Sequence, residues 1–237
     1  MDKQKLSYLI FAFCSLVWGS SFILMKGGLA VYEWHEVGFM RIAITGLCLA
    51  PFAIHHLRKQ RVPLAKFALV AISGTFLPAM LFALAQTRIA SSTSGVLNAS
   101  TPLFTFMMGL LFFSQNFNPT RLIGVLFGLA GALVIVFLNA EGALDPNWAY
   151  GLVVFVATLS YAFNANYVKE QMLRFRPFVV ASISLFVTSI PVLVYLPLSD
   201  VPRKMFEADP GLYGFLNIFV LAAVGTALAI SLFYIVV

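Results

Sequence analysis

Eight nearly continuous apolar runs, each about as long as a bilayer is thick, leave this chain few folds to choose from. They lie approximately at residues 6–31, 37–57, 64–89, 93–113, 121–138, 148–169, 178–198 and 213–237. A helix needs about 20 such residues to cross the hydrocarbon core. In lipid only helices or closed barrels satisfy every backbone group. The runs do not alternate apolar with polar, as barrel strands do. An all-α integral membrane protein is therefore expected. Apolar residues make up 61% of the chain and charged residues 10%, against roughly a quarter charged in a soluble domain. Connections are short, so successive helices should form antiparallel hairpins. The border between the third and fourth runs is marked only by Arg88 and Ser91-Ser92-Thr93-Ser94-Gly95. The first run follows Lys3 and Lys5, exceeds a signal-peptide core and has no small-residue cleavage site at its end, so it reads as a retained span.

Basic residues orient the spans. Lys3, Lys5, Arg58, Lys59, Arg61, Lys66, Arg121, Lys169, Arg174 and Arg176 all fall on one side of the predicted membrane. Glu33, Glu36, Glu141, Asp145, Asp200, Glu207 and Asp209 fall on the other, balanced there by Arg203, Lys204 and Arg88. Cytoplasmic loops carry the excess of Lys and Arg, which predicts a cytoplasmic N-terminus. The net charge of +6 then reports topology and attraction to anionic lipid, not nucleic acid.

The chain also echoes itself. Gly74-Thr75, Leu77, Leu81 and Phe82 recur at the same spacing as Gly225-Thr226, Leu228, Leu232 and Phe233. Trp18 precedes Lys26 by the same step as Tyr161 precedes Lys169. The matched spans run in opposite directions, as they must if the repeated unit has five helices. The expected organisation is a first five-helix repeat over residues 1–142 and a second, inverted repeat over 143–237. Three helices of the second copy are present, so eight of an expected ten are predicted here. Inverted repeats are a common plan for carriers that rock about a shared site.

Trp18-Gly19-Ser20-Ser21-Phe22 through Lys26, Arg41, Ala99-Ser100-Thr101-Pro102-Leu103, Gly124 to Gly131 and the Gly225-Thr226 helix together resemble the EamA-type carriers of the drug/metabolite transporter superfamily. The resemblance implies ten helices in two inverted repeats, with export of small metabolites or amino acids across the bacterial inner membrane. Ser114-Gln115 stands where the family usually has Gly-Glu, so a role for that carboxylate is not carried over.

Several residues are candidates for lining a substrate path. Lys26 and Arg41 are the cations nearest the apolar zone. A charge at the bilayer centre costs at least ~2.5 kcal/mol, so it faces a cavity or a partner. Lys26 and Arg41 either capture a substrate carboxylate or snorkel to the interface with Glu33 or Glu36. Pro102 should free the carbonyl of Asn98, beside Thr101, and Pro78 that of Gly74. Tyr161 and Asn164 share a helix face, and either line the cavity with Trp18 and Ser21 or hold helices together. Asn166 joins them on the same span. Gly124-x-x-x-Gly128 with Gly131 reads as close helix packing. Cys14 and Cys48 read as buried packing residues, and His55 and His56 as a solvated interface.

No Asp or Glu is expected within a span, so no intramembrane carboxylate relay has a candidate. No membrane-depth His stands ready to activate Ser20, Ser21 or Cys14, and no metal-ligand spacing or cofactor motif occurs. The leading expectation is a carrier of small organic solutes, amino acids or related zwitterions, working by alternating access, with lipid bilayer and solute as its partners. A lipid or drug flippase of the same fold is the alternative. A membrane-embedded lipid-modifying enzyme would need convergent acid, base or metal groups that these residues do not supply.

Overall fold

The computed structural model describes residues 3–139, 147–207 and 209–236. Among them every regular element is helical. The first two spans are α1 (Lys3–Leu29) and α2 (Trp34–Lys59). The third comes in three pieces: α3 (Leu64–Ala71), a π-helical turn (Ile72–Phe76) and α4 (Leu77–Gln86). The fourth is α5 (Ser91–Asn98) followed by α6 (Thr101–Phe112). Next come α7 (Pro119–Asn139), α8 (Trp148–Gln171) and α9 (Pro177–Tyr195). A short α10 (Val201–Glu207) leads into α11 (Gly211–Ala222), a second π-helical turn (Ala223–Leu228) and α12 (Ala229–Val236).

Seven helical paths among the described residues are long and apolar enough to cross a membrane, and α7 is a further apolar helix. Their outward faces are apolar: Leu16 and Phe127 are 76% exposed and Leu111 is 70% exposed. Such surface needs lipid as its solvent. The chain is an all-α integral membrane protein. Glu141, Asp145 and the border at 142/143 lie outside the described residues.

The weakly marked border between the third and fourth runs is real, since α4 stops at Gln86 and α5 starts at Ser91. Besides the two π turns, two features had no forecast. The fourth span breaks at Ala99-Ser100, and α10 forms in the loop after α9. Helix α2 also starts earlier than residue 37, because Glu36 closes a capping box by accepting the Glu33 N–H at 2.8 Å. Glu36 thus sits inside a helix and is buried, so the expected absence of acids from spans holds for helix middles only. Glu170, the penultimate residue of α8, is the other exception.

The bundle is held centrally by α2 against α9, where Gly46 lets the helices close until Ser189 and the Leu185 carbonyl lie against it. Helix α8 packs on α4 and α6, and α1 packs on α11 and α12. Met25, Val37, Phe82, Val154, Ile218 and Leu221 meet in the principal core. Lys204 of α10 reaches Glu36 at 2.7 Å and ties the loop to the start of α2.

Two packing expectations are corrected. No atom comes within 4 Å of a Cβ built on Gly124, Gly128 or Gly131. Those glycines make no close helix contact among the described residues, and α7 packs on α5 and α6 through other positions. Cys14 is buried, with Sγ 3.6 Å from the Ala229 carbonyl, but Cys48 is exposed on the outer face of α2.

Candidate functional site

The two π-helical turns fall on the two copies of the echo. Ile72–Phe76 contains Gly74-Thr75, and Ala223–Leu228 contains Gly225-Thr226. A π turn shifts backbone bonds from i−4 to i−5 and often marks a functional site. Leu77 accordingly donates its N–H to Ile72. In that register the N–H due at the Ser73 carbonyl belongs to residue 78, which is proline and has none. The hydroxyl of Ser160, on α8, donates there instead at 2.8 Å. Pro78 therefore leaves the carbonyl of Ser73 without a backbone donor in the π register. In the second turn, Trp18 Nε1 on α1 donates to the Gly225 carbonyl at 3.0 Å.

The side chains around each turn correspond. Trp18 packs on Phe233, with ring centroids 5.7 Å apart, and Tyr161 stacks on Phe82 at 6.0 Å. Ser21, three residues after Trp18, has Oγ 3.3 Å from the Cβ position of Gly225. Asn164, three residues after Tyr161, lies with its amide against Gly74, and its Oδ1 is 3.3 Å from Ser73 Oγ. A Cβ on Gly74 would meet the Asn164 amide, which would have to move aside. Ser160 escaped the sequence reading; the register of Pro78 against a π turn was the signal that could have found it.

The other candidates lie apart from these turns. Lys26 donates to the Gln86 carbonyl at 2.6 Å. It caps the C-terminal end of α4, where unpaired carbonyls favour a cation. Neither Glu33 nor Glu36 is its partner, because Glu36 is already held by Lys204. Arg41 is half-buried in α2, about 10 Å along the helix from Trp34. Among the described residues its guanidinium makes no hydrogen bond or ion pair. Asn98 ends α5, and both its carbonyl and its side-chain oxygen accept from Thr101 Oγ1, at 2.7 and 3.2 Å. Pro102 starts α6, where its missing N–H costs nothing. The carbonyl it frees is thus answered within the same span. Asn166 is buried and fully used, donating to the Thr105 and Ala162 carbonyls, both at 2.9 Å.

A cleft of about 540 Å³ opens between α6, α7 and α8. Of the residues singled out by sequence for a substrate path, Thr101, Pro102 and Asn166 line it. Its mouth is formed by the 113–118 loop, Arg121 and Lys169. Ser114 takes a left-handed φ of 47°, a conformation glycine adopts freely, and Gln115 turns its N–H back to the Gly109 carbonyl at 3.0 Å. Glycine at this position in the resembled family therefore has a physical reason.

A multi-helix membrane bundle with polar groups at half-buried positions is one architecture that carriers use. Comparison with known proteins agrees. Residues 5–137 match the EamA-like transporter family, and the chain belongs to it. It is 28% identical over 191 residues to the uncharacterized transporter YdfC of Bacillus subtilis, covering 76% of this chain and 59% of that protein. It is 25% identical over 221 residues to the uncharacterized inner membrane transporter YedA of Escherichia coli, covering 91% and 69% respectively. An uncharacterized transporter of Archaeoglobus fulgidus is 22% identical over 193 residues, covering 80% of this chain and 67% of that one. The chain thus spans about three-fifths to two-thirds of these relatives' lengths. One crystal structure shares the fold with a TM-score of 0.63 at 16% identity, covering 97% of this chain and 78% of that one. The chain is thus a multi-pass membrane protein of the EamA-like transporter family.

Proposed function

We propose that the chain is a carrier, not an enzyme, that exports amino acids or related zwitterions across the inner membrane by alternating access. In this reading residues 1–142 and 143–237 belong to two halves of opposite orientation, and the N-terminus is cytoplasmic. The observation that carries it is the crossed pairing of α1 with the second π turn and α8 with the first. Trp18, Phe233 and Gly225 on one side answer Tyr161, Phe82 and Gly74 on the other. Such pairing is what two inverted halves locked through each other's third helix would produce.

Each π turn is a place where a helix can slide its hydrogen-bond register by one residue without breaking. The Trp18–Gly225 and Ser160–Ser73 bonds hold the two turns. Releasing one while keeping the other would open the bundle to one side and then the other. Arg41, with its free guanidinium, takes the solute carboxylate. Asn98, Thr101, Tyr161 and Asn164 offer polar groups to the rest of the solute. Trp18, Ser21, Lys26 and Pro102 position the helices around it.

The test is counterflow. Liposomes holding the protein and preloaded with unlabelled solute should accumulate the labelled form of at least one amino acid. Arg41→Gln should lower that uptake by more than ten-fold. Failure of every amino acid to exchange would sink the substrate class. Scrambling of labelled lipid in the same vesicles, without solute exchange, would replace the carrier by a flippase.

A further inference from the structure

We propose that the mouth of the cleft between α6, α7 and α8 binds the phosphate of an anionic phospholipid, with an acyl chain in the apolar cleft behind it. This does not rest on the transport reading. Arg121 and Lys169 face the same opening from the start of α7 and the end of α8. Among the described residues no carboxylate lines it. The Lys169 ammonium donates only to Gln115 Oε1, at 3.1 Å, and the Arg121 guanidinium has no partner among the described residues. Glu170, next to Lys169 in the chain, accepts from Gln171 at 3.4 Å.

Two cations with donors to spare, beside the amides of Asn116 and Asn118, call for an anion with several acceptor oxygens. Position says which kind. Both cations sit at helix ends, at the level where an embedded bundle meets the headgroups. Behind them the walls turn apolar at Pro102, Phe106 and Val125, and Gly124 leaves the passage open because nothing fills the place of a side chain. A free phosphate would occupy the mouth alone. About 540 Å³ of mostly apolar cleft fits a hydrocarbon chain attached to that phosphate. Gly124, expected to pack against a helix, borders this occupant instead.

Native mass spectrometry of the purified chain with phosphatidylglycerol, phosphatidylethanolamine and glycerol phosphate tests the proposal. Phosphatidylglycerol should bind at least five-fold more tightly than phosphatidylethanolamine. Each cation near a charged surface contributes about a five-fold effect, so Arg121→Gln with Lys169→Gln should weaken phosphatidylglycerol about 25-fold. Gly124→Leu should displace the chain and weaken phosphatidylglycerol without changing the binding of glycerol phosphate. Wild-type elution volume and melting temperature would show that the variants are folded. Equal binding of the two lipids, or a double variant that keeps its preference, overturns the proposal. So does glycerol phosphate binding as tightly as phosphatidylglycerol, which would leave an anion site without a lipid.

Discussion

Ser160→Ala is the sharpest probe of the π turn in the third span. The substitution keeps Cβ and removes one hydroxyl, so packing changes little. What it takes away is the donor at the Ser73 carbonyl, 2.8 Å from Ser160 Oγ. Leu77 spends its N–H on Ile72, and Pro78 has none. An unsatisfied buried acceptor costs about 1–3 kcal/mol. Side-chain bonds in membrane proteins average about 0.6 kcal/mol and reach about 1.7. Ser73 is only 6% exposed, which favours the upper part of the membrane range, so we expect a loss of about 1–2 kcal/mol. Pro78→Ala supplies the missing N–H. Residue 78 then serves Ser73 in the π register, or residue 77 serves it if the turn reverts to α. In that background Ser160→Ala should cost less than about 0.5 kcal/mol, a coupling of the kind double-mutant cycles resolve. Unfolding in mixed micelles, followed by circular dichroism, measures all four species. An equal loss in both backgrounds, or no loss in either, would refute the assignment of Ser160 as the replacement donor.

Three further outcomes follow from single contacts. Lys204→Met should destabilise the chain by about 2–3 kcal/mol. Removing one partner of a fully buried pair costs about 3–5 kcal/mol, and the side chain of Lys204 is 25% exposed against 4% for Glu36. Adding Glu36→Gln should recover about half of the loss, which unfolding midpoints would detect. Gly46→Ala should cost about 1–3 kcal/mol by overpacking the α2–α9 crossing, and a variant as stable as wild type would refute that close approach. Tyr32 lies in the turn after α1, buried, and donates to the Gly211 carbonyl at 2.9 Å. Burial first, and then the Glu36 charge, push its phenol above the ordinary value of 10.0. The folded state therefore holds this proton more tightly than the unfolded one. The stabilisation is complete below the ordinary phenol value and is lost as pH rises through the folded one. Tyr32→Phe should melt lower than wild type at neutral pH, and the gap should narrow in strong alkali; a gap that stays constant would refute the linkage.

The span pattern was legible because lipid imposes a length and a polarity that any apolar run displays openly. The border at Arg88 was weakly marked, yet α4 and α5 part there, since a charged residue and a polar cluster cannot stay at membrane depth. The echo was legible as well, and it marked both π turns before their geometry was known. Its meaning was not, because Gly74 and Gly225 are 151 residues apart in the sequence and neither reports which helix lies against it. Lys26 shows the same limit. A lysine near a helix end predicts a partner, but the Gln86 carbonyl competes with Glu36 for it, and Glu36 is claimed by Lys204 from a short helix that had no forecast. Gly124 and Gly128 permit a close helix contact without compelling one.

The sequence by itself determined the solvent, the class of helices, the borders of the spans and the two segments that echo each other. These follow from local chemistry: hydration of polar groups, the reach of a bilayer, and the missing N–H of proline. Only the tertiary structure decided that Ser160 answers Ser73, that Trp18 answers Gly225, that Lys26 caps α4 and that Gly124 borders an open cleft. Each of those depends on which donor arrives first at an acceptor far away in the chain, and that is set by helix packing.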